Sequence, residues 1–219
     1  MTDALEAAEG YLKDAGLINS PGAVLYSSAK TLSPGPVYLL GLNPGGTEGA
    51  TLQDSLTNAR QDHNAYLDEQ WAPGGNLQPK GQATLQRRVQ NLCSLMGLET
   101  RKVPASNLVF TRSTRIGTHL DFQGALPLCL PVHKIFFDAI QPSFLMTFGA
   151  FDNFKSAVNV ETVESCLAEH GTWQAHRGYA VFNGRRVGFG NIPHMSLWAS
   201  DKRPHIVKWA LANMSPNQP

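Results

Sequence analysis

Cysteine, charge and long apolar runs are all scarce in this chain. Its three cysteines, Cys93, Cys129 and Cys166, stand far apart with no Cys-x-x-Cys among them. That pattern argues against a disulfide framework and a zinc knuckle and reads as structural thiols. No stretch approaches the roughly 18 apolar residues of a membrane span. The opening Met1-Thr2-Asp3-Ala4-Leu5-Glu6 is acidic where a signal peptide is basic and then apolar. The expectation is a soluble, cytoplasmic monomer with no membrane partner. Neither Gly-x-Gly-x-x-Gly nor a Walker lysine is present, which ranks a Rossmann-like nucleotide binder last. His63, His119, His133, His170, His176 and His205 show no metal-ligand spacing, so no metal and no cofactor are expected.

What is present is ordinary globular material, 42% hydrophobic and 16% charged over 219 residues, enough for one substantial core. One domain over 1–219 is expected, with a helical extension at 1–34 and a long loop at 47–80 lying over the site. The net charge of +1 conceals an asymmetry. Residues 1–70 carry three basic and nine acidic side chains, net −6, and residues 71–219 carry fifteen and eight, net +7. The second part can present a basic face to nucleic acid, although a solvated surface gives the same count.

Periodicity gives alternating elements. Helical spacing runs over 3–16 and 82–98, the latter stopping at Gly97. A strand at 37–40 enters the turn Gly41-Leu42-Asn43-Pro44-Gly45-Gly46, and further strands are expected at 107–111 and 144–148. Residues 52–66 suggest one helix inside the polar 47–80 stretch. Helices are expected at 131–140, 151–158 and 204–214, the last with proline in its first turn. Asn183-Gly184 marks a hairpin between 179–182 and 186–189. Such alternation predicts an α/β fold, a three-layer α/β/α domain around a mostly parallel sheet.

In an open α/β sheet the site is built from loops at strand ends. Two such loops carry polar side chains: the 41–46 turn, and Asn191-Ile192-Pro193-His194-Met195-Ser196 after the hairpin. Asn43 before Pro44 is also a common turn residue, and His194 is also compatible with a satisfied core histidine. The position of Asn43 after a buried strand favours a functional role.

The order of motifs resembles the uracil-DNA glycosylase superfamily over about residues 35–213. The resemblance rests on Gly41-x-Asn43-Pro44-Gly45 after a strand and a helix ending in Gly97-Leu98. It rests further on Asn107-Leu108-Val109, Cys129-Leu130-Pro131 opening a helix, Pro142 to Gly149, and His194-x-Ser196 before a basic helix. It implies a uracil-DNA glycosylase-like fold and hydrolysis of an N-glycosidic bond in DNA. Such chemistry flips the base out of the stack and stabilises a leaving base anion. By resemblance, Asn43 holds the attacking water, His194 donates to the departing pyrimidine oxygen, and Asn107 reads the pyrimidine edge. Gly41, Leu42, Pro44, Gly45 and Gly46 would line the substrate. Arg112, Arg115, Ser196, Leu197, Trp198, Lys202 and Arg203 would contact DNA, with Leu197 and Trp198 where relatives insert a wedge. Ser196 would donate to a phosphate or cap a turn.

Four departures shape the expectation. The strictly uracil-removing branch has Gly-Gln-Asp-Pro-Tyr-His in the first motif; here an amide replaces the acid, so Asn43 orients water and is not a general base. Gly45 stands where that branch has a tyrosine walling off pyrimidine C5, which leaves room for a 5-substituent. The thermostable branch binds an iron–sulfur cluster through four cysteines; here Phe110-Thr111-Arg112-Ser113-Thr114 has threonine at one ligand position, and three cysteines cannot supply four thiolates. Met195 replaces the usual proline of His-Pro-Ser. The expected function is a monofunctional DNA glycosylase acting on a uracil-type lesion or a 5-substituted cytosine such as phage hydroxymethyl- or glucosyl-hydroxymethylcytosine. The alternative is an inactive DNA- or protein-binding module of the same fold.

Overall fold

A computed structural model describes residues 4–46, 49–113 and 122–214. Its sheet is built on β1 (Val37–Gly41), β2 (Ala105–Asn107), β3 (Phe144–Phe148) and β6 (Arg185–Ile192), which run parallel in the order β2-β1-β3-β6. Beyond β6 the antiparallel strands β5 (Gln174–Phe182) and β4 (Asn159–Leu167) complete six strands. Every residue of β1 and β3 is buried, as strands covered on both faces require.

Alternate side chains of β1 face two separate cores. Tyr38 and Leu40 face α1 (Ala4–Asp14), α2 (Leu52–Arg60), α5 (Phe122–Ile140) and α6 (Phe151–Lys155). Val37 and Leu39 face α3 (Ala65–Asp68), α4 (Thr84–Leu95) and α7 (Pro204–Ala210). The fold is therefore α/β, a mostly parallel sheet with helices on both faces. No described helix is long and apolar enough to cross a membrane.

The N-terminal segment is part of this core. Leu5, Ala8 and Leu12 of α1 are fully buried. The following chain lies along the outer edge of β2: Tyr26 N–H donates to the Ala105 carbonyl, Ser106 Oγ to the Val24 carbonyl, and Ala105 N–H to Ser27 Oγ. The stretch at 49–80 holds two helices where one is expected, and it is fastened rather than loose. Gln86, fully buried on α4, donates to the carbonyls of Ala65 and Glu69. Gln90 donates to those of Tyr66 and Gly81.

Other elements differ from expectation for physical reasons. The strand expected at 107–111 is Ala105–Asn107, because Ala23 N–H captures the Phe110 carbonyl and draws the chain away. The helix expected to open at Pro131 starts at Phe122 and carries Pro127 and Pro131 inside. Its apolar face, Leu126, Cys129, Val132, Phe136 and Phe137, stays in register across both prolines, and packing outweighs the lost backbone bonds. β4 is exposed along most of its length and so lacks the apolar alternation that marks a strand.

Candidate active site

The C-terminal ends of β1, β2, β3 and β6 lie side by side, and each delivers a polar or aromatic side chain. Gly41 and Asn107 are register partners across β1 and β2, as Phe148 and Ile192 are across β3 and β6. A Cβ placed on Gly41 would lie 2.0 Å from Asn107 Oδ1 and 3.1 Å from Phe148 Cζ. Only glycine lets the amide and the ring edge converge there. The Phe148 ring meets the His194 imidazole edge to face, with centroids 5.4 Å apart. Asn107, Phe148 and His194 are thus contiguous over the end of β1. Asn107 ends its strand rather than starting one, which puts its amide at the sheet's rim.

His194 is held by its own loop. Ser196 N–H donates to His194 Nδ1 at 3.2 Å, and Ser196 Oγ lies 2.7 Å from the same nitrogen. A backbone N–H only donates, so Nδ1 is the acceptor and Nε2 carries the proton of the neutral ring. Burial pulls the imidazole down to about 4, which keeps it neutral at physiological pH. Met195, where proline was the usual residue, is fully buried, and its carbonyl accepts from Arg88 Nη1. Side-chain burial and the Arg88 bond fix the loop in place of a ring.

Asn43 is partly buried just beyond β1. Its Nδ2 donates to the Pro44 carbonyl at 3.0 Å and the Ser113 carbonyl at 3.4 Å. Both bonds use the amide nitrogen, so Oδ1 is the atom suited to accept from a water. Ser113 N–H donates to the Pro44 carbonyl, and Arg112 Nη1 donates to the Gly45 carbonyl at 2.7 Å. Leu42 is buried against Gly149. Gly45 and Gly46 are exposed. Among the described residues a Cβ on Gly45 would meet nothing within 4 Å, and its φ is not positive, whereas Gly46 has φ 88°.

Tyr26, which carries no signal in the sequence pattern, joins the site beside the Asn107 side chain. Its phenol is pushed up to about 12 by burial, with Arg112 acting in the opposite direction. The ring stacks on Tyr66 at 5.4 Å and meets Trp71 edge to face at 6.2 Å. Phe148 lies within the motif 142–149, but its proximity to His194 is visible only in three dimensions.

The proposed DNA contacts divide. Leu197 is 69% exposed, as a wedge must be, but Trp198 is fully buried and its Nε1 donates to the Ala168 carbonyl at 2.7 Å. Trp198 is a core anchor and not a wedge. Arg203 donates to the carbonyls of Glu169 and Ala199, so it ties two loops together. Arg112 is likewise committed to Gly45, while Lys202 and Ser196 are exposed. Arg115 lies outside the described residues. Among the described residues no group of three or more His, Cys, Asp or Glu side chains is placed to hold a metal ion. Comparison with protein-family models and with curated proteins finds no match for this chain.

Proposed function

We propose that the chain is a monofunctional DNA glycosylase, with a uracil-DNA glycosylase-like fold, that hydrolyses the N-glycosidic bond of a modified pyrimidine. The observation that carries this reading is the convergence of the Asn107 amide, the Phe148 ring and the neutral His194 imidazole over Gly41, with Asn43 on the same strand end. A side-chain amide offers a donor and an acceptor together, as a pyrimidine edge requires. The His194 Nε2–H supplies a donor for the charge that develops on the leaving base. Asn43 Oδ1 orients a water toward the sugar carbon as the bond breaks, and the base departs as an anion without a general base at this position. The motif order described above supports the same assignment.

The open surroundings of Gly45 favour a base substituted at C5, because a side chain there would otherwise fill that side. The test is one panel of oligonucleotides carrying uracil, thymine opposite guanine, hydroxymethylcytosine or its glucosylated form, scored by alkali cleavage at abasic sites. Release from at least one member is expected. An empty panel with intact DNA binding would leave a binding module of this fold.

A further inference from the structure

Outside the site, the most constrained polar group of the molecule is a histidine in the opposite core. His133 of α5 is 1% exposed and Tyr38 of β1 is fully buried. The Tyr38 hydroxyl lies 2.9 Å from His133 Nδ1, and His133 Nε2 lies 3.2 Å from the Leu108 carbonyl. A carbonyl only accepts, so Nε2 carries the hydrogen and Nδ1 accepts from Tyr38; the two partners fix one tautomer. Burial pulls this imidazole down to about 4, so the arrangement persists at neutral pH.

The two bonds end on the residue after Asn107. Leu108 N–H donates to the Gly41 carbonyl at 3.0 Å, so the 107–108 segment is gripped by β1 through its nitrogen and by α5 through its carbonyl. Ser106, on the other side of Asn107, donates to the Val24 carbonyl. We propose that Tyr38 and His133 are positioning residues for Asn107, fixing from the far face of the sheet the backbone that aims its amide at the substrate. This proposal rests on the reading of Asn107 as the base-recognising side chain. A fully satisfied buried network specifies one geometry where an apolar contact would allow several.

The experiment follows the Asn107 side-chain amide directly, as its ¹⁵N-correlated NH₂ pair, assigned by its loss in Asn107→Asp. Tyr38→Phe and His133→Leu are expected to shift or broaden that pair. Both should lower single-turnover base release by about 10- to 100-fold, the scale of a small misplacement, with oligonucleotide affinity unchanged. His133→Gln retains a donor for the Leu108 carbonyl and should recover most of the rate. Tyr38→Phe removes only a hydroxyl and covers the case in which His133→Leu does not fold. An unmoved Asn107 pair in the folded variants, wild-type release rates, or equal losses in the Gln and Leu variants would each overturn the proposal. If wild-type protein releases no base while Tyr38→Phe still moves the pair, the glycosylase reading fails and the positioning role stands.

Discussion

His194 and Asn43 illustrate how much of a side chain's chemistry is set by the one hydrogen bond it cannot avoid. With Nδ1 occupied by the Ser196 N–H, the imidazole presents Nε2–H outward, and His194→Ala should lower single-turnover base release by about 10²–10³, the usual loss of an oxyanion donor. Ser196→Ala should cost less than about tenfold, since the backbone N–H still selects the tautomer; an equal loss in both variants would assign the hydroxyl a role of its own. Asn43→Ala should slow release by about 10² with DNA affinity nearly intact, because in the proposed role the residue orients water. Gly45→Tyr is a clean probe of substrate, given an open surround and an ordinary backbone angle. Activity on 5-substituted pyrimidines should fall far more than activity on plain uracil, and equal losses would remove the open-pocket argument.

At the scale of elements, α4 acts as the fastening for the chain that precedes it. Gln86 and Gln90 each satisfy two carbonyls of the preceding segment. Gln86→Leu strands buried carbonyls at about 1–3 kcal/mol each, so it should lower the denaturation midpoint and open residues 65–81 to proteolysis before the sheet unfolds. Uniform resistance along the chain would show that the segment is held by something else.

Elements whose burial is all-or-none were legible: β1 and β3 as unbroken apolar runs, and the β5–β6 hairpin from Asn183-Gly184. β4 was not, because an edge strand with most side chains in solvent leaves no periodic trace. The start of α5 was obscured by prolines that packing overrides. In the site, Asn43, Asn107 and His194 were visible from motif order, whereas Tyr26 and Phe148 join only through contacts between distant segments. Trp198 shows the reverse limit, since a tryptophan beside a leucine gives no sign of which side chain is buried.

For the whole molecule, the imidazoles of His133 and His194 weaken the fold as the pH falls. His133 and His194 are drawn from an ordinary 6.5 to about 4 in the fold, so the unfolded chain binds more protons between those values. Stability is therefore complete above about pH 6.5 and falls as pH drops toward 4, by on the order of 3 kcal/mol for a group as buried as His133. Glu9 and Asp68, held near 2 chiefly by Lys13 and Arg101 respectively, act later. Their contributions are present above the ordinary carboxylate range and vanish as pH falls through it toward 2; their partners' exposure keeps them small. Denaturant midpoints at pH 7, 5.5 and 4.5 should decline steadily. A flat series would place both imidazoles at their ordinary values.

The strap along β2 also orders events during synthesis. Residues 22–27 pair with backbone near 105–111, and α1 packs on α5, which ends at Ile140. Residues 4–27 thus leave the ribosome well before their partners at 105–140, with loop closure over some eighty residues or more between them. Until α5 emerges, the apolar stripe of α1 lacks most of the face that covers it. A nascent chain halted before α5 is the form in which that stripe would meet chaperones or other chains.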